Sequence, residues 1–506
     1  VNSTKEAHAQ AKRVYALSLA VVALSLLAVV TRFYHLGQEC VWLDEAITFH
    51  RSSLPVGQLI ESAVRKFHIP TYFLVIHYVM MLGDDEFWLR LPSAVCGLLK
   101  LLVVYRIGRL VQGRSVGLLG VMLLVLSRYQ VHYDQEARMY APLGLMAALA
   151  FWGLIWIVEN PNDAARAFSR SRETTSDKLS GRLRPELAFV ALGTGVLVCL
   201  YLHNTATLLA LTCGLVGLVV HWKNGEIRRK LGVRFILVTV TVGLFFAPWF
   251  PTLLHQSSEI AEKGWPATAP TLVDVASRLR DLFLLGTESI AFSLAILAFS
   301  IVGSVALRRR VTLLLCLWLL SVTGPILLAL ISISQPMFYI RFVLWAAMPF
   351  SVLVAVGLAS IKRVFISALA GIVIVVFGAY NLWGAYYSTT RNPRWADAAV
   401  DLSRSTNDDT VVLSIGRHET IPLSYYYKRK TNPLPSVPIL DDVHAMQEDL
   451  QPFIEGKRTV LVVNSRKLPE AESVLEQLRS VTKRMWRRKY GPKLTVERYE
   501  RQREQP

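Results

Sequence analysis

Runs of about 18 to 22 mostly apolar residues recur over roughly the first 390 positions of this chain, and each is long enough to cross a ~30 Å hydrocarbon core. With 53% hydrophobic residues in a length of 506, the chain is too apolar for an ordinary soluble enzyme. The expected fold is therefore an α-helical polytopic membrane protein. The first run, Val14 to Val30, lacks a small-residue cleavage site and reads as a retained anchor.

Basic residues give an orientation. Lys12 and Arg13 precede the first span. Arg106, Arg109 and Arg114 lie between spans two and three, and a basic stretch from Arg166 to Arg184 lies between four and five. Lys223, Arg228, Arg229 and Lys230 follow span six, Arg308 to Arg310 follow eight, and Lys362 and Arg363 follow ten. All fall on one side if roughly eleven helices alternate from a cytoplasmic N-terminus. The formal charge of +18 is thus largely a topology signal. A nucleic-acid partner would need that charge gathered on one accessible domain, and none is expected.

The same alternation places outside the segments 31–88, 127–136, 201–204, 249–289 and 332–341, and everything after about Tyr387. These are rich in Trp, Tyr, His and Pro, and carry isolated charges instead of basic clusters. Cys96, Cys199, Cys213 and Cys316 lie in apolar runs, and Cys40 has no evident disulfide partner. The chain has no zinc motif, phosphate-cradling glycine loop or dinucleotide fingerprint.

Two domains are expected: a transmembrane domain over 1–387, whose outer loop 31–88 carries an acidic pair, and an extracytoplasmic α/β domain over 388–506. In the second, β-rich runs at Thr410–Ile415, Arg458–Val463 and Leu494–Tyr499 alternate with helical patterns at Trp395–Arg404 and Glu470–Thr482. His418-Glu419 reads as a loop at a strand end. The basic stretch Lys483 to Lys489 is expected to face water or lipid headgroups.

The acidic pair is Asp44-Glu45, within Trp42-Leu43-Asp44-Glu45-Ala46. Adjacent carboxylates at the mouth of a membrane helix are expensive to desolvate, so water, a partner charge or a reaction must account for them. A carboxylate can take a proton from an attacking hydroxyl, and arginines at headgroup depth can stabilise charge on a departing phosphate. Arg138 and Arg341 are such arginines. Asp134 stays open between a second acid of the site and a merely solvated one.

In order along the chain stand Trp42-Leu43-Asp44-Glu45-Ala46, Pro70-Thr71-Tyr72, Arg90-Leu91-Pro92-Ser93, Gln135-Glu136-Ala137-Arg138-Met139-Tyr140, Tyr201-Leu202-His203, Arg341 and Trp395-Ala396-Asp397. This series resembles the polytopic glycosyltransferases of the GT-C class, nearest to the bacterial branch related to protein O-mannosyltransferases and to the aminoarabinose transferases that modify lipid A. The resemblance covers almost the whole chain.

It implies a GT-C fold in a bacterial inner membrane and transfer of a sugar from a polyprenyl monophosphate carrier, with inversion, to a protein, lipid or glycan hydroxyl on the outer face. By that resemblance Asp44 is the general base, and Glu45 orients the acceptor or supports Asp44 electrostatically. Arg138 and Arg341 hold the carrier phosphate, with Arg90, His203, Tyr140 and Glu136 as further contributors. By the same resemblance no cofactor is required, the alternative being Mg²⁺ or Mn²⁺ on the two neighbouring carboxylates. The acids and guanidinium groups are expected to converge on one lipid-accessible hollow. The carrier's isoprenoid tail explains a membrane site, since burial is worth ~0.8 kcal/mol per CH₂. The alternatives are a lipid-linked-saccharide flippase, which would put its charges near midplane, and a polysaccharide ligase.

Overall fold

The computed structural model describes residues 2–167, 185–223, 227–263, 270–415, 420–430, 439–440, 442–464 and 469–501. Most of the basic stretch 166–184 and the pair His418-Glu419 lie outside these residues. Contacts divide the chain into two compact units. The first comprises Val1–Tyr34, Ile60–Tyr72 and Leu91–Ala385, and the second His35–Leu59, Phe73–Arg90 and Tyr386–Pro506. The sequence reading kept all of 1–387 in one domain, whereas the contacts group two pieces of the opening loop with the C-terminal part.

The first unit is helical. Among the described residues, seven helices are long and apolar enough to cross a membrane: Glu86–Gln112, Tyr140–Glu159, Pro185–Leu202, Arg229–Glu262, Val311–Ser334, Ile340–Ala359 and Phe365–Tyr387. Shorter apolar helices cover Ser18–Phe33, Ala206–Trp222 and Ile290–Ala306. The chain is an integral membrane protein. Glycines let neighbouring helices touch backbone to backbone, as membrane packing favours. A Cβ on Gly303 would lie 2.1 Å from Leu353 O, and one on Gly357 would lie 1.9 Å from Phe299 O. Leu237, Phe245, Ile372 and Val376 are exposed, as expected of side chains that meet lipid.

The segment 127–136, expected as an outer connection, is mostly a helix. Arg128–Asp134 follows Arg114–Val125 after a bend of 73°, and Gln130, Val131, Tyr133 and Asp134 are buried. The physical reason is Asp134. It accepts from Arg32 (3.1 Å) and Lys100 (2.7 Å), and all three side chains are almost wholly buried. Lys100 also donates to Gln130 Oε1, and Arg32 donates to the carbonyls of Leu124 and Val125. A charge inside a helical bundle persists when it is paired in this way. Asp134 is therefore neither solvated nor an idle second acid.

The second unit carries a five-stranded sheet of order β2-β1-β3-β5-β4. Its strands are β1 Thr410–Ser414, β2 Ile439–Leu440, β3 Thr459–Asn464, β4 Thr482–Lys489 and β5 Thr495–Arg501. β1 pairs parallel to both β2 and β3, while β5 runs antiparallel to β3 and β4. Val411, Leu413, Val460, Val462 and Tyr499 pack with Met446, Leu450, Val474, Leu475 and Leu478 into its core. The helices Trp395–Ser405 and Pro469–Val481 and strands β1, β3 and β5 match the sequence expectation. The basic stretch 483–489 is exposed but forms edge strand β4, held by its pairing with β5. Helix Thr420–Lys430 was not foreseen.

Candidate functional site

In the second unit, the chain leaves the turn after Phe33 through His35, in a left-handed conformation (φ 60°). It then runs extended into helix Leu43–Ser52, with Asp44 and Glu45 in the first helical turn, where the partial positive charge of the helix end favours acidic side chains. The two acids have different surroundings. Glu45 is buried (1% exposed) and forms a two-point ion pair with Arg90: Nε donates to Oε1 at 2.8 Å and Nη2 to Oε2 at 2.7 Å. The Trp42 amide also donates to Glu45 Oε2. Asp44 is partly exposed.

Arg90 uses its other donors on the same loop. Nη1 donates to Leu36 O (2.9 Å) and Glu39 O (2.8 Å), and Nη2 to Cys40 O (3.2 Å). A guanidinium has five N–H donors, and all five are engaged here. The expected contribution of Arg90 to carrier phosphate is thus replaced by a geometric one: it fastens the acid-bearing loop.

In the first unit, Arg138 lies in the turn before helix Tyr140–Glu159, Arg341 in the 3₁₀ segment Ile340–Ala346, and His203 in the turn after helix Pro185–Leu202. Arg341 sits over the rings of Tyr339 (4.8 Å), Phe342 (5.7 Å) and Tyr140 (5.8 Å), each an attractive cation–π distance. The His203 ring lies against Phe342 at 5.0 Å and Tyr140 at 5.9 Å. Arg138 is buried, and its Nη2 is 3.5 Å from His68 Nε2. Tyr72 Oη and Ser93 Oγ are hydrogen bonded, and Ser93 donates to Arg138 O, which fixes the backbone under Arg138. Glu136 is buried, 3.9 Å from His132.

The histidine tautomers follow from fixed partners. His68 Nδ1 meets Lys66 O and so donates, leaving Nε2 to accept from Arg138. His203 Nδ1 accepts from the Thr205 amide, leaving its proton on Nε2. Desolvation, reinforced by His68, Arg138 and Arg341, pushes the His203 pKa down to about 3. At neutral pH His203 is therefore an uncharged N–H donor beside two guanidinium groups, an arrangement suited to an oxyanion.

The sequence-predicted residues accordingly fall into two sets. Asp44, Glu45 and Arg90 belong to the second unit, and Arg138, Arg341, His203, Tyr140 and Glu136 to the first. Sequence reasoning missed the roles of Arg32, Lys100 and His68, and those of Tyr426 and Asn392 in the second unit. An ionisable residue inside an apolar run was a usable signal for Arg32 and Lys100. Among the described residues, no group of three or more His, Cys, Asp or Glu side chains is arranged to hold a metal ion.

A family model described as dolichyl-phosphate-mannose-protein mannosyltransferase matches residues 68–168. No curated protein matches the sequence. Among solved structures, apo ArnT from Cupriavidus metallidurans matches with a TM-score of 0.62 and 14% identity over 96% of this chain and 98% of that one. ArnT bound to undecaprenyl phosphate matches at 0.55 and 13% identity, over 94% and 97%. AglB, an oligosaccharyltransferase from Archaeoglobus fulgidus in complex with an inhibitory peptide and a dolichol-phosphate, matches at 0.55 and 12% identity, over 89% and 69%. Over nearly its whole length, this chain has the GT-C fold shared with ArnT.

Proposed function

We propose that this protein is a glycosyltransferase that moves a sugar from a polyprenyl monophosphate carrier to an acceptor hydroxyl, on protein, lipid or glycan. It works at the outer face of a bacterial inner membrane, with its N-terminus in the cytoplasm and its C-terminal domain outside. The observation that carries the reading is the cluster of Arg138, Arg341 and uncharged His203, framed by Tyr140 and Tyr339. It presents two forked cations and a neutral donor, as a phosphate monoester in a low-dielectric setting requires. The likeness to a structure holding undecaprenyl phosphate supports it.

In the reaction Asp44 takes the proton of the acceptor hydroxyl while that oxygen attacks the anomeric carbon. The bond from that carbon to the carrier phosphate oxygen breaks, and its electron pair leaves on the phosphate. Attack opposite the leaving group inverts the anomeric centre. Arg138 and Arg341 stabilise the charge that grows on the phosphate, and the Nε2–H of His203 is the neutral donor beside them. Glu45, joined to Arg90, supports Asp44 from the next position. The phosphate leaves with its charge balanced by arginine, so the reaction needs no nucleotide, metal or other cofactor.

The test supplies purified protein in lipid nanodiscs with labelled polyprenyl-phosphate sugar and an envelope acceptor fraction. The unaltered protein is expected to yield a new glycosidic product. Asp44→Asn should lose roughly 10²–10⁴ of the rate, the usual share of a general base. No product from the unaltered protein, or wild-type turnover in Asp44→Asn, refutes the reading.

A further inference from the structure

The segment that delivers Asp44 is fastened by side chains more than three hundred residues away in sequence. The Val41 amide, on a fully buried residue, donates to Tyr426 Oη at 2.8 Å. Tyr426 Oη in turn donates to Glu86 Oε1 at 2.7 Å, so one hydroxyl ties the loop to the start of helix Glu86–Gln112. Asn392 Nδ2 donates to Cys40 O at 2.7 Å, and the Asn392 amide to Glu39 Oε2. Beside it, the rings of Phe49 and Tyr425 meet edge to face at 4.7 Å, joining helix Thr420–Lys430 to the helix that bears Asp44. Gly37 permits the close approach of the loop, because a Cβ there would stand 3.2 Å from Phe87 Cβ. With the five bonds of Arg90, the carbonyls of Leu36, Glu39 and Cys40 and the amides of Val41 and Trp42 are all held by side chains. A backbone held at so many points leaves the segment that leads to Asp44 little freedom.

We infer that Tyr426 and Asn392 are positioning residues for the reaction: the C-terminal domain acts as a clamp on the loop 36–42 and thereby fixes Asp44. This rests on the reading of Asp44 as the base. Tyr426 and Asn392 act on the acid through the loop and touch neither sugar nor phosphate, so they affect turnover and not carrier affinity.

Cys40 lies inside the clamp, half-buried, and burial pushes its thiol up, which keeps it slow toward maleimide. Its labelling, read by mass spectrometry on the full-length protein, reports loop opening without reference to activity. Tyr426→Phe and Asn392→Ala should each label Cys40 several-fold faster. Each should lose about tenfold in kcat, the equivalent of ~1.4 kcal/mol, with the KM for carrier-linked sugar unchanged and a melting temperature lowered only as far as the lost loop bonds require.

Wild-type labelling and wild-type kcat in both variants overturn the inference. So does faster labelling with unchanged kcat, or a loss confined to KM. If the unaltered protein makes no product, the functional reading fails with the role of the clamp in it, and the labelling arm still decides whether the clamp itself exists.

Discussion

Replacing Arg90 by lysine separates a clamp from a phosphate ligand. Arginine makes five hydrogen bonds here, two to Glu45 and three to the carbonyls of Leu36, Glu39 and Cys40. Lysine keeps the charge but offers three donors from one point, so it can satisfy the carboxylate and at most one neighbouring carbonyl. Cys40 O keeps Asn392 as a donor; Leu36 O and Glu39 O are the groups at risk. Leaving one or both unpaired costs about 1–3 kcal/mol each. The expected result is a lower thermal midpoint together with a reduced kcat, because the cost falls on the loop that leads to Asp44. Polyprenyl phosphate, measured by equilibrium binding to the protein in nanodiscs, should bind with wild-type affinity. If Arg90 instead held the phosphate, loss of a charge-assisted bond worth ~1.5–3 kcal/mol would weaken binding by roughly 10- to 150-fold. Such weakening with an unaltered midpoint refutes the clamp.

Arg138→Ala is expected to weaken polyprenyl phosphate binding by about tenfold or more, and unchanged affinity in the same assay removes Arg138 from the phosphate site. Asp134→Asn should destabilise the protein more than Lys100→Met. The first leaves Arg32 and Lys100 buried without an anion, a loss of about 3–5 kcal/mol, while the second keeps the Arg32–Asp134 pair; thermal midpoints in the reverse order refute the triad. His203 has a folded pKa near 3, below the ordinary histidine value, so the unfolded chain takes up its proton first as pH falls. Its contribution to stability is therefore full above about pH 6.5 and declines toward pH 3. His203→Gln should lose less stability than wild type between pH 7 and 4.5, and parallel losses would contradict the assignment.

What the sequence made legible and what it hid divide along physical lines. Apolar length marks a helix locally, so the helical, membrane-spanning class of the chain could be read from its sequence. Strands β1 and β3 announced themselves through Thr, Val and Leu runs that are buried along their length. β4 could not be read in this way. Its Lys-Arg-Met-Trp-Arg-Arg sequence has no alternation, and its state is decided by pairing with β5. The role of Arg90 was hidden for a similar reason. Its position at the mouth of a span suits a phosphate ligand as well as a clamp, and only the engagement of all five donors tells them apart. Asp134 stays open in the sequence because its partners Arg32 and Lys100 come from two other helices, about a hundred and about thirty residues away.

The acidic pair shows how neighbours of one chemical type come to do different work. A helix start turns adjacent side chains about 100° apart, so Asp44 and Glu45 cannot face the same surroundings. Glu45 turns inward, and its carboxylate closes a circuit with Arg90 and the Trp42 amide. Loss of this carboxylate would leave the buried guanidinium without its anion. Asp44 keeps contact with the exterior while the backbone on either side of it is pinned. With Asp44 as the proposed base, rigidity would come from one acid and proton transfer from the other, a division of work that a single acid in a loose loop does not allow.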